Sequence, residues 1–311
     1  MEFTSDASGR LDAIIAAQDS SLSRSKIQKA IKDGSVTVNG KVLKKTSHKL
    51  QEGDTVAYDG SESQIINLES HINPVDLKLE VLFEDDSVIV INKPEGYAVH
   101  PGHSMEEDET TILHGIAHLF TERKIPFSPD STLVHRLDKP TTGCLVVAKD
   151  NDSFAALQKQ FEERTTDKKY LAIVSGVPEH KEATIDAPIG RNLTDRTKMS
   201  VLKTSVSRDA KTTYRVLDST NDTALLECDL HTGRTHQIRV HLASIGHPIL
   251  GDLPYGSPTN KKVTETYKVE GLCLHAREIS FVSPADNKTH RVEAPLPETI
   301  NKALSETGLT V

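Results

Sequence analysis

His135-Arg136-Leu137-Asp138-Lys139-Pro140-Thr141-Thr142-Gly143-Cys144-Leu145-Val146-Val147-Ala148-Lys149-Asp150, residues 135–150, sets one carboxylate between two cations and then runs into an apolar segment. Pro140 to Gly143 is turn-forming, and the unbroken run from Leu145 to Ala148 reads as a buried strand. Asp138 is therefore predicted on a loop that leads into the core. A carboxylate beside Arg136 and Lys139 stays ionised at neutral pH, and an ionised carboxylate serves as nucleophile or base. A solvated turn aspartate fits the same residues, since paired carboxylates are often only structural.

Outward from this stretch, bulk properties narrow the class. The 311 residues suffice for one large or two smaller domains, and 36% hydrophobic with 26% charged residues marks a soluble globular chain. Cys144, Cys228 and Cys273 are odd in number and far apart, which argues against a disulfide framework or a metal knuckle and fits a reducing, cytoplasmic setting. The short apolar patch at Ile14 to Ala17 lacks the features of a signal peptide, and no run is long enough to span a bilayer. A net charge of −8 weighs against a nucleic-acid binder, but the distribution reverses that reading. Between residues 24 and 49, Arg24, Lys26, Lys29, Lys32, Lys41, Lys44, Lys45 and Lys49 face the single acid Asp33, while Glu106 to Glu109 form an acidic loop elsewhere.

The basic stretch belongs to a small unit over residues 1–60. Leu11, Ile14 and Ile15 have helical spacing, and a second helix is predicted from Ser23, as its cap, to Asp33, with Ile27 and Ile31 on its inner face. Val36 to Val42 reads as a hairpin around Asn39-Gly40, and Gly53 to Tyr58 as a closing strand. Residues 61–75 read as a linker, and 76–311 as a second, larger domain. In that domain the pattern predicts strands at 79–83, 87–94 and 169–176, a helix at 154–164 and a hairpin over 213–230. Thr235 is positioned to cap a helix whose apolar face carries Ile238, Leu242 and Ile245. His236 and His241, five apart, lie about 140° round that helix and do not converge on a metal as an i, i+4 pair would.

His135-Arg136-Leu137-Asp138-Lys139 with Thr142-Gly143 and Leu145 to Lys149, together with Thr232-Gly233-Arg234-Thr235-His236-Gln237-Ile238-Arg239, resembles the signature of the RluA/RluD-type RNA pseudouridine synthases. Pro140 and Cys144 depart from the usual family residues without touching Asp138 or its cations. Val99-His100-Pro101-Gly102 is similar to the RluD-like branch, and residues 10–59, with Ser23-Arg24, Val38-Asn39-Gly40 and Gly53-Asp54, resemble the S-four-like RNA-binding domain. Cations on such a module, here Arg24, Lys26, Lys29, Lys32, Lys44 and Lys45, supply sequence-independent phosphate affinity.

The resemblance implies an α+β fold, with a mixed, mainly antiparallel sheet flanked by helices, and an enzyme that isomerises uridine to pseudouridine. It implies Asp138 as the catalytic residue, Arg239 as the group that holds it, and Tyr170 and Leu274 on the two sides of the target base. Arg136 would fill the space the base leaves in the RNA, with His135 and Arg234 completing the substrate site. The reaction breaks the bond from ribose C1′ to uracil N1 and rejoins ribose to uracil C5, so no cofactor, metal or redox partner is needed. Because a stacked base cannot turn in place, it must be extruded into a pocket. The expected partner is RNA, large-subunit ribosomal RNA before transfer RNA, with no membrane and a monomeric chain. Two rival readings are a non-catalytic ribosome-assembly factor and a glycosidase-like hydrolase. The hydrolase needs a second carboxylate opposite the first, whereas the motif at Asp138 offers cations.

Overall fold

The computed structural model describes residues 2–18, 24–58, 72–102, 109–202 and 204–311, and its backbone divides into two compact units, Met1–His71 and Ile72–Val311. Ser23, most of the linker and residues 106–108 of the acidic loop lie outside the described residues.

The first unit runs β1 (Glu2–Thr4), β2 (Gly9–Arg10), α1 (Leu11–Gln18), α2 (Arg24–Asp33), β3 (Val36–Val38), β4 (Lys41–Val42), β5 (Lys49–Leu50) and β6 (Thr55–Tyr58). An antiparallel sheet in the order β1-β6-β3-β4 packs Val36, Val38 and Val56 against Leu11, Ile15, Ile27 and Ile31 of the two helices. The β3–β4 turn puts Asn39 and Gly40 at φ 49° and 75°, the left-handed pair that a two-residue hairpin turn requires. Asn39 also ties the turn to β6, accepting from the Thr55 N–H at 2.9 Å and donating to Asp54 at 2.8 Å.

The second unit contains β7 (Glu80–Glu84), β8 (Val88–Lys93), α3 (Ile112–Arg123), β9 (Thr142–Ala148), α4 (Asn151–Glu163), β10 (Asp167–Ser175), β11 (Glu182–Asp186), β12 (Ile189–Asn192), β13 (Met199–Ser200), β14 (Thr204–Arg208), β15 (Lys211–Ser219), β16 (Thr223–Leu230), α5 (Gln237–Ser244), α6 (Pro258–Thr266), β17 (Leu274–Val282), β18 (Thr289–Glu293) and α7 (Glu298–Thr307). The large sheet has the order β11-β15-β16-β10-β17-β9-β8-β7, with β18 on β17, and all its pairings are antiparallel except β9 with β17. A smaller sheet, β13-β12-β14, stands beside it in sequence between β11 and β15.

The centre of the large sheet is covered on both faces, which is why β8 and β9 are apolar without alternation. Ile89, Ile91, Leu145 and Val147 point to the side of Ile112, Ile116 and Phe120 of α3, while Val88, Val90, Val146 and Ala148 point to the side of Leu157 of α4. At about 25 cal/mol per Å² of apolar surface, each such large side chain contributes about 1.5–3 kcal/mol. Gly143 lets β9 come close to β17: its φ is +108°, and a Cβ there would sit 2.2 Å from the Ala276 carbonyl oxygen. That approach sets the end of the Asp138 loop beside Leu274 at the start of β17.

One local expectation is corrected. Thr235 does not cap α5: His236 occupies that position at φ 56°, and Ile245 lies past the helix end, 38% exposed. The turn is closed by Gln237, whose Oε1 accepts from Thr232 Oγ1 at 2.7 Å and the Arg234 N–H at 3.0 Å, so no Thr235 hydroxyl is needed.

Candidate active site

A cavity of about 540 Å³ opens over the Asp138 loop, the first turn of α5, and the facing strands β10 and β17. Asp138, Arg239, Tyr170 and Leu274 all line it, as do His135, Arg136 and Arg234. Residues 135 to 274 in sequence are thus brought to one site, within the size range of small-molecule pockets.

Arg239 organises the charges. It projects from α5, almost fully buried, and forks onto Asp252: Nε donates to Oδ2 at 2.8 Å and one terminal nitrogen to Oδ1 at 2.9 Å. The other terminal nitrogen donates to Asp138 Oδ2 at 3.2 Å. Burial alone would lower the Arg239 pKa, but the hydrogen bonds and charge of Asp252, and then of Asp138, raise it instead. The guanidinium therefore stands as a fixed cation with two planar carboxylate contacts of unequal quality, tight on Asp252 and looser on Asp138. Its flat face lies 5.0 Å from the Tyr255 ring.

The sequence neighbours of Asp138 are arranged otherwise than its flanking charges predict. Lys139 is exposed and its Nζ turns to Glu109 at 2.6 Å, leaving Arg239 as the cation bonded to Asp138. A third cation comes from β8. Lys93 is fully buried, and its Nζ donates to the carbonyls of Pro94, Lys139 and Thr141 at 2.8–3.0 Å, which fixes the shape of the loop after Asp138. Burial lowers its pKa to about 8, against the opposing pull of Asp138 and Glu95. His236 reaches Asp138 from the other side, with Nε2 4.0 Å from Oδ1 and Nδ1 2.7 Å from the Tyr255 hydroxyl. The Tyr255 hydroxyl, which accepts from the Met199 N–H at 2.9 Å, holds the ring at Nδ1 and so turns Nε2 toward the carboxylate.

Tyr170 and Leu274 are buried on neighbouring strands, and burial raises the Tyr170 pKa, keeping its phenol protonated. His135 is held from behind: its Nε2 accepts from the Val146 N–H at 2.9 Å and its ring stacks on Phe161, so it braces the wall. Arg136 is exposed, and Arg234 donates through Nε to the Asp209 carbonyl at the rim. In the first unit Lys32, Lys44 and Lys45 are exposed, whereas the side chains of Arg24, Lys26 and Lys29 lie outside the described ones. Asp252, Tyr255, Lys93 and His236 are additions to the site that the sequence reading does not assign. Asp252 sits in a turn-rich loop, Gly251 to Gly256, where nothing in the spacing marks a buried carboxylate.

Residues 87–244 match the family model for RNA pseudouridylate synthases, and residues 9–56 match that for the S4 domain. A Bacillus subtilis protein described as an uncharacterized RNA pseudouridine synthase is 39% identical, with 94% of this chain and 91% of that protein covered. A ribosomal large subunit pseudouridine synthase D from Xanthomonas campestris is 36% identical over 97% of this chain and 89% of its own length. Among solved structures, human RNA pseudouridylate synthase domain containing 4 superposes with a TM-score of 0.60 at 30% identity, covering 75% of this chain and 94% of that one. The chain belongs to the RNA pseudouridine synthase family. It is an isomerase of that class with an S4 domain at its N-terminus.

Proposed function

We propose that this synthase converts specific uridines of large-subunit ribosomal RNA to pseudouridine, with Asp138 as its catalytic carboxylate. The observation that carries the reading is the convergence of Asp138, Arg239, Tyr170 and Leu274 on one cavity of about 540 Å³. The resemblance of the whole chain to relatives named for the large ribosomal subunit supports the choice of RNA.

In this reading the target uridine leaves its stack and enters the cavity. Tyr170 and Leu274 cover the faces of the uracil, and Arg136, exposed at the mouth, takes the vacated place in the RNA. Asp138 keeps Oδ2 on Arg239, which leaves Oδ1 for the sugar, either as nucleophile at C1′ or as base toward a ribose proton. The C1′–N1 bond opens with its electron pair retained by the base. The base then turns within the pocket, and C5 bonds to C1′ as the Asp138–C1′ bond breaks on the nucleophilic route, or as Asp138 returns the abstracted proton to the ribose on the base route. The C5 proton leaves to solvent and N1 gains one, so atoms balance with no cofactor. His135 and Arg234 shape the wall and rim. Residues 1–60 serve as the RNA-binding domain through Arg24, Lys26, Lys29, Lys32, Lys44 and Lys45, residues 61–75 as linker, and 76–311 as the catalytic domain. On this reading the protein acts as a monomer. Its cysteines Cys144, Cys228 and Cys273 are free and buried, in keeping with a cytoplasmic setting.

The test is tritium release from ribosomal RNA carrying uridine tritiated at C5. The native protein is expected to release tritium from large-subunit RNA, and Asp138→Ala to lose at least 10³-fold in rate, on the order of 4 kcal/mol of barrier, while still binding the RNA. Release from transfer RNA alone would overturn the substrate assignment, and undiminished release by Asp138→Ala would overturn the role of Asp138.

A further inference from the structure

The loop that carries Asp138 ends in a side chain that the protein itself leaves unused. The Thr141 N–H donates to the Asp138 carbonyl at 3.0 Å, and the Thr141 carbonyl accepts from Lys93 at 2.8 Å. Its hydroxyl has no such role. Among the described residues, Thr141 Oγ1 is the buried side-chain polar atom left without a hydrogen-bond partner, in a residue only 2% exposed. Other buried threonines are paired: Thr142 with His275, Thr212 with Gln237 and His241, and Thr232 with Gln237. An unpaired buried hydroxyl is destabilising, and a valine of the same shape would remove the penalty. Thr141 nevertheless stands there, and it lines the same cavity as Asp138, Tyr170 and Leu274.

The chemistry of the base indicates what would complete this group. Tyr170 and Leu274 offer mainly apolar surface, suited to the faces of a uracil, while the edge of that ring carries O2, N3–H and O4. When C1′–N1 opens, the retained electron pair spreads from N1 onto the two carbonyl oxygens. A hydroxyl donor aimed at one of them gains strength as that charge develops, the condition under which a contact accelerates the step. We propose that Thr141 Oγ1 donates a hydrogen bond to a carbonyl oxygen of the extruded uracil and stabilises its charge as the C1′–N1 bond breaks. Thr141 keeps its own proton throughout, so the proton balance of the isomerisation is unchanged. The proposal rests on the synthase reading above.

Native protein, Asp138→Ala, Thr141→Val and Thr141→Ser are compared by single-turnover tritium release from C5-tritiated large-subunit RNA, by RNA binding and by thermal melting. Thr141→Val is expected to melt at or above the native temperature and to bind RNA within about twofold. Its rate constant is expected to fall about 30- to 100-fold, the range of a hydrogen bond to developing charge, while Thr141→Ser stays within about fivefold. Thr141→Val releasing tritium at the native rate would overturn this assignment and leave the synthase reading standing. No release by the native protein would overturn the synthase reading and this assignment together. Should Thr141→Val not fold, Thr141→Ala against Thr141→Ser makes the same comparison, and equal rates in that pair would overturn the proposal.

Discussion

Arg239 holds two carboxylates, and the better contacts go to Asp252 rather than to Asp138. Asp252 is fully buried and takes both atoms of the fork, so it fixes the guanidinium whether or not substrate is present, and Asp138 receives the remaining donor. Removing one partner of a buried pair leaves an uncompensated charge, at a cost of about 3–5 kcal/mol. Asp252→Asn is therefore expected to lower folding stability by about that amount. It should also lower the rate more than RNA affinity, since the freed guanidinium would shift toward Asp138 and engage the oxygen otherwise left to the sugar. Urea unfolding and tritium release on the same preparation measure both, and full activity with native stability would remove Asp252 from the account. At this scale the sequence is legible where a residue lies inside a dense motif, as Asp138 and Arg239 do. Asp252 and Thr141 are not legible in this way, because what distinguishes them is burial and the presence or absence of a partner.

Two histidines clamp β9, the strand that follows the Asp138 loop. His135 accepts from the Val146 N–H through Nε2, and His275 on β17 meets Thr142 Oγ1 through Nδ1 at 2.8 Å. Both are held neutral by burial, which lowers their pKa values from 6.5 to about 3 and about 4. A histidine whose folded pKa is depressed binds fewer protons than the unfolded chain below pH 6.5, so stability is intact above that value and is lost as the pH falls toward the folded one. At pH 5, about 1.5 units below the unfolded value, each would have lost up to about 2 kcal/mol relative to pH 7. Urea midpoints at pH 7 and pH 5 should show that loss, and His135→Gln, whose amide oxygen can accept from Val146, should remove about half of it; an unchanged pH dependence would contradict the clamp. Elements with a clean apolar rhythm, β8, β9, β10 and the β15–β16 hairpin, are readable from sequence within a few residues. By contrast, α7 shows only a narrow stripe of Ile300, Ala303 and Leu304 behind a proline cap, and the segment from β12 to β14 carries a mixed pattern because Val206 on β14, and Leu193 and Leu202 in the connections, are exposed. Such segments acquire their structure from what they pack against.

For the whole molecule, the net charge of −8 has to be reconciled with a polyanionic substrate. Eight cations against one acid between residues 24 and 49 concentrate positive charge in the S4 domain, while the cavity of the second unit combines its own cations with Asp138 and, through Arg239, Asp252. The proposed function thus assigns affinity and chemistry to different parts of the chain. Affinity gained by neutralising phosphates falls with salt, by a slope of about 0.7–0.9 in log K against log salt for each contact. Replacing Lys32, Lys44 and Lys45, all exposed, with glutamine should reduce the slope by about 2 if each meets a phosphate. The triple variant should bind large-subunit RNA more weakly at every salt concentration. Its single-turnover rate at saturating protein should remain within about twofold of native, because all three belong to the first unit and the residues lining the cavity to the second. Filter binding across a salt series, followed by tritium release at saturation, separates the two effects. An unchanged slope would move the RNA-binding surface off these lysines, and a rate that stayed low at saturation would mean that the S4 domain helps place the uridine in the cavity as well as capturing the RNA.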